Sequence, residues 1–173
     1  IRPVGGGEAV PVLGGKTGGA DIVPRDFPII FIPETSPFAI GVAGGARADQ
    51  IFYLAPTEAL AAGKPEWKIV STLDDKVQGV MVRGSDLLQL TNKANGAGEI
   101  VHRSVAADGT PGVGKTVFAG KDGLILTNLA YGKDGAYVTA QTDGVARIFY
   151  SKTGTGGFTE IKLPFEGDIF NFT

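Results

Sequence analysis

Gly109-Thr-Pro-Gly-Val-Gly-Lys-Thr116 matches, at every required position, the loop that cradles nucleotide phosphates. In such a loop backbone N–H groups wrap the phosphates, the Lys reaches the β- and γ-phosphates, and the Thr ligates Mg²⁺. That chemistry needs a buried strand before the loop and a helix after it, its N-terminus facing the phosphates. Here Thr116-Val-Phe-Ala-Gly-Lys-Asp-Gly123 follows, and its two glycines and β-branched residues oppose a helix. No later apolar strand ends in a convincing metal-binding Asp. The stretch therefore reads as a connection between strands, and nucleotide binding through Lys115 is the least favoured function.

The other chemical candidates have plainer readings too. His102 is the single histidine, with no cysteine anywhere, and reads as a strand residue on a polar face rather than as a base or ligand. Asp74-Asp75 precedes a strand and reads as a solvated turn. Asp122-Gly123, Asp134-Gly135 and Asp143-Gly144 lack the spaced carboxylates and terminal Glu of a calcium loop, and Asp-Gly is ordinary hairpin chemistry. Trp67 is expected to pack between sheets. No catalytic, cofactor-binding or metal-ligating residue is assigned, and no cofactor is expected.

The elements that position these residues are short strands. Val77–Val82, Asp86–Thr91, Glu99–Val105 and Thr116–Ala119 are apolar runs separated by Arg83-Gly-Ser85, Asn92-Lys-Ala-Asn-Gly96 and Asp108-Gly-Thr-Pro-Gly112. That is the pattern of an antiparallel meander. A unit before it comprises Phe27–Ile32, Phe38–Ala43, Gln50–Ala55 and Trp67–Val70. A unit after it comprises Leu124–Tyr131, Ala136–Gln141, Ala146–Ser151 and Phe158–Leu163. Phe38 aligns with Leu87, Ile51 with Ile100, Tyr53 with His102, Ile100 with Ile148 and Val101 with Phe149, at offsets of about 48–49 residues. A four-stranded meander at this period predicts an all-β fold of β-propeller blades. Residues 1–25 read as the end of a preceding blade and a linker, with Glu8–Leu13 as an edge strand because Pro11 interrupts it. Residues 26–75, 76–123 and 124–166 read as blades, and 167–173 as the first strand of a further one. The one helical expectation is a turn after Pro56, capped by Thr57 and ended by Gly63.

Composition narrows the classes further. The chain has 173 residues, 43% hydrophobic and with a net charge of −2, which excludes an electrostatic footprint for nucleic acid or an anionic membrane. The 27 Gly and 10 Pro are spread between apolar runs, as many turns require. Without Cys, disulfides and thiol chemistry are excluded. No apolar run approaches the ~20 residues of a membrane-spanning helix. The sequence opens at Ile1 with no basic-then-apolar leader, reads as a trimmed or processed segment, and leaves localisation open.

Several stretches resemble the propeller domain of the prolyl oligopeptidase family of serine peptidases. They are Asp26-Phe-Pro-Ile-Ile-Phe-Ile-Pro-Glu-Thr-Ser-Pro-Phe-Ala-Ile40; Trp67-Lys-Ile-Val70 leading to Asp75-Lys-Val77; Gly84-Ser-Asp-Leu-Leu88; Leu90-Thr-Asn-Lys-Ala-Asn-Gly96; and Asp143-Gly-Val-Ala-Arg-Ile-Phe149 ending in Ile161-Lys-Leu-Pro164. The resemblance runs from about Asp21 to the C-terminus. It departs at Ala94, where the family often carries a Pro. It implies part of a seven-bladed propeller, about three blades, which in that family covers a Ser/Asp/His hydrolase domain and limits access to short peptides cleaved after proline. This chain has no Gly-x-Ser-x-Gly elbow, so the resemblance carries over no catalytic residue. The expected partners are a hydrolase domain and remaining blades of a parent chain, or a second copy paired through uncovered end blades, with short peptides as possible ligands. A stand-alone propeller-like binding module is the alternative.

Overall fold

The computed structural model describes residues 5–164 and 166–169. Its strands form three four-stranded antiparallel sheets, each a simple meander in chain order. The first sheet comprises β1 (Phe27–Phe31), β2 (Phe38–Gly44), β3 (Ile51–Pro56) and β4 (Lys68–Ser71). The second comprises β5 (Val77–Arg83), β6 (Asp86–Thr91), β7 (Glu99–Ser104) and β8 (Lys115–Ala119). The third comprises β9 (Ile125–Tyr131), β10 (Ala136–Thr142), β11 (Val145–Ser151) and β12 (Thr159–Ile161). Every strand expected in the three units forms, within a residue or two of its expected ends.

Why these runs pair is visible at the turns. Asp143 and Gly144 both take the left-handed conformation, with φ of 51° and 78°, and close β10 onto β11 as a two-residue hairpin. Stacking of the sheets then buries both faces of the middle one. Between the first and second sheets lie Ile40, Val42, Phe52 and Leu54 against Val80, Val82 and Leu87. Between the second and third lie Leu88, Leu90 and Ile100 against Leu126, Leu129, Val138 and Ala140. Phe118 adds ring contacts at 4.8 Å to Phe149 and 5.1 Å to Phe158. Each such fully buried side chain contributes roughly 1.5–3 kcal/mol.

This packing corrects the alignment of the first two units by one residue. Phe38 and Leu87 do not hold equivalent positions: both point into the layer between the first two sheets, from opposite sides. Ile51 packs on the far side of the first sheet, whereas Ile100 faces the third. Phe52, paired with Val42, is the true counterpart of Ile100, paired with Leu90. A one-residue slip exchanges the faces of a strand, and mean apolarity is blind to that. Ile100 and Ile148 do correspond, because Ile148 shares the outward face of the third sheet with Thr139 and Ile161.

The segment before β1 departs from expectation. Glu8–Leu13 forms no strand. Pro11 removes a ladder donor, and Gly14 and Gly15, both at positive φ, turn the chain away. Instead, Val12, Ala20 and Ile22 cover the outer face of the first sheet, packing with Ala39, Ala43, Tyr53 and Leu60. Trp67 is buried there rather than between two sheets, and its Nε1–H donates to the Val12 carbonyl at 2.7 Å. Helix α1 (Thr57–Ala61) follows β3 directly, but its N-cap is Pro56; Thr57 lies inside the helix, its buried hydroxyl without a hydrogen bond. Gly63 at φ 71° does end it. A 3-10 turn forms at Leu73–Asp75, held by a capping box between Thr72 and Asp75. At the other end, Glu166–Ile169 is not in a strand, and the remainder of the expected further strand, Phe170–Phe172, lies outside the described residues.

Candidate functional site

The phosphate-loop pattern does not form a phosphate cradle. Gly109 N–H donates to the Ala106 carbonyl and Gly112 N–H to the Ser104 carbonyl, so these donors are spent within the chain. Asp108 caps the turn, accepting from Thr110 N–H at 2.9 Å, and Arg103 Nη1 holds the Gly112 carbonyl at 3.0 Å. Val105 bridges to Pro111, and β8 begins at Lys115. The residue that would reach a phosphate is the first residue of an edge strand, with no helix behind it.

The polar candidates fall in three places. His102 on β7 meets Asp86 on β6, Nε2 to Oδ1 at 2.7 Å, where the second and third sheets meet. The sequence separation of 16 residues hid that carboxylate. Beside them Arg83 stacks over the Tyr131 ring at 4.6 Å and reaches the Lys152 carbonyl. Tyr131 presents a buried hydroxyl with no hydrogen-bond partner, and desolvation pushes its pKa up to about 12. Asp75 is no free turn carboxylate: Lys93 lies 2.7 Å away, and with Thr72 it holds the Asp75 carboxyl below the usual range. Asp26 and Arg47, singled out by no sequence argument, form a bidentate pair at 2.7 and 2.8 Å. The Asp-Gly turns serve structure; Asp134, for one, accepts the Tyr137 hydroxyl. Among the described residues no group of three or more His, Asp or Glu could hold a metal, and no helix is long and apolar enough to cross a membrane.

What the strands do build is a cleft along the inner edges of the first two sheets. β5 lies against β9, but β1 and β5 stand apart, and between them opens a space of about 480 Å³. Ile40, Val42, Phe52 and Val80 face it from the strands, joined by Phe31 and Met81. The row Phe27, Ile29 and Phe31 on β1 is unusually bare, at 71%, 44% and 54% exposure. No sequence argument separated these residues from ordinary core, because apolar alternation on a strand is the same whether or not its neighbour closes over it.

No protein-family model matches the chain, and no curated protein does. The fold, however, is similar to that of a chain from a structural and mechanistic study of two prolyl endopeptidases, concerned with inter-domain dynamics in catalysis and specificity. The TM-score is 0.67 at 10% identity, over 83% of this chain and 20% of that one. The likeness is one of fold. It makes this an all-β, propeller-like chain that spans about a fifth of the length of the structure it matches.

Proposed function

We propose that the chain is the propeller portion of a prolyl oligopeptidase-type serine peptidase, about three blades of a seven-bladed ring. Its role is to screen short proline-containing peptides on their way to a hydrolase domain carried elsewhere in a parent chain. The single observation that carries this reading is the structural likeness over 83% of the chain, which agrees with the family-like stretches from Asp26 to Pro164. The test has two arms. The coding sequence flanking residues 1–173 is expected to encode an α/β-hydrolase domain with its Ser/Asp/His triad. The parent enzyme is expected to cleave a proline-containing peptide reporter, and the 173-residue chain alone to leave it intact. A flanking sequence with no hydrolase domain, or turnover by the chain alone, sinks the reading.

One observation favours a second reading, a stand-alone propeller-like binding module. Val12, Ala20 and Ile22 already cover the outer face of the first sheet, where a preceding blade would otherwise stack. That reading expects the chain alone to retain a specific partner in a pull-down.

A further inference from the structure

The cleft between β1 and β5 has the size and lining of a ligand site. Its volume of about 480 Å³ falls within the ~300–1,000 Å³ of small-molecule pockets. No charged side chain lines it. A charged ligand would shed its hydration there with no counter-charge in reach. Phe31 and Phe52 line it with aromatic rings. The carboxamides of Gln50 and Gln78 stand among these apolar groups without a hydrogen-bond partner among the described residues, each offering a donor and an acceptor.

We propose that this cleft binds an uncharged aromatic small molecule bearing one hydrogen-bonding group, its rings against Phe31 and Phe52 and its polar group on Gln50 or Gln78. The inference does not depend on the peptidase reading, since the residues it uses all lie in this chain, Asn128 of β9 completing the lining.

A matched pair of fluorescent probes tests it on the chain as it stands. N-phenyl-1-naphthylamine is uncharged, and 8-anilinonaphthalene-1-sulfonate is the same ring system with a sulfonate added. The neutral probe is expected to bind saturably at one site, and the sulfonate at least about tenfold more weakly. Gln50→Ala with Gln78→Ala, which removes both carboxamides at half-buried positions, is expected to weaken the neutral probe several-fold. Phe31→Ala, at a half-exposed position that the core does not need, is expected to weaken it several-fold. Val113→Ser, at a 95% exposed apolar residue far along the chain, is expected to change nothing. The proposal is overturned by non-saturable binding, by equal affinity for the two probes, or by wild-type affinity in both cleft variants. Affinity for the neutral probe that falls as protein concentration rises also overturns it, because a second copy would then be the occupant.

Discussion

Asp26 sits immediately before β1, almost wholly buried, with Arg47 gripping both its oxygens. The pair ties the start of β1 to the loop between β2 and β3. The hydrogen bonds from Arg47 hold the Asp26 carboxyl below the ordinary range, despite opposition from burial. A depressed folded pKa contributes stability above the unfolded pKa of about 3.9, and that contribution drains away as pH falls through the folded value. Melting temperature is therefore expected to drop between pH 5 and the acid limit more steeply in the wild type than in Asp26→Asn. The variant should start lower at pH 7, because Arg47 is left half-buried without its partner. Parallel curves for the two proteins would show that the pair does not set the acid stability. Tyr131 gives the opposite sign of prediction. Its hydroxyl is buried and unsatisfied, so Tyr131→Phe removes a polar group that gains nothing from folding. The ring stays beneath Arg83. Denaturant titration is expected to show stability unchanged or raised by up to about 1 kcal/mol. A loss of stability would mean the hydroxyl has a partner in solution.

At the scale of elements, the meander was legible because each strand is a short apolar run fenced by turn residues, and because the three units repeat. Two things were not. The sequence pattern of Phe38 and Leu87 could not say which face each would present, since both faces of the middle sheet are apolar. Nor could it place Glu8–Leu13, which has the alternation of an edge strand and uses it to cover a sheet instead. The candidate cleft was illegible for a related reason: it arises from the spacing of β1 and β5, and strand spacing leaves no mark on composition. The covering segment makes its own prediction. Gly18 sits at φ 61°, and a side chain there would run into the Pro65 carbonyl and approach the Trp67 ring at 3.0 Å. Gly18→Ala is expected to cost about 1–3 kcal/mol and to loosen the segment. Trp67 fluorescence should shift to the red at denaturant concentrations that leave the wild type unchanged; an identical transition would show that the segment does not need this turn. The loop at 109–116 predicts a negative result: calorimetry with Mg·ATP should register no binding, and micromolar binding abolished by Lys115→Ala would reverse the assignment of Lys115 to a strand.

For the whole molecule the two ends of the sheet stack differ. The first sheet's outer face lies under the Gly-rich segment before β1. The third sheet's outer face carries Ile125, Ile148 and Ile161 among Thr139, Tyr137 and Tyr150, with Ile125 51% and Ile161 39% exposed. The chain passes its edge near Asp168, which accepts from Gln141. An apolar face of this kind, flanked by aromatic rings 5.1 Å apart, is built to be stacked upon. In a longer propeller the next blade would cover it. In the 173-residue chain on its own, a second copy offers the same chemistry. One open face per copy gives a self-complementary contact, which closes as a two-fold dimer rather than extending into fibres. Sedimentation equilibrium is expected to show dimers, and no larger species, at high micromolar concentration. Ile125→Lys with Ile161→Lys places a charge at two exposed points of that face without touching the core, and should return the chain to monomer with its unfolding midpoint little changed. Val113→Lys, equally exposed but outside the sheets, should leave the dimer intact. A wild type that stays monomeric throughout would mean that the third sheet is finished as it stands, and a double variant that still dimerises would place the contact elsewhere on the chain.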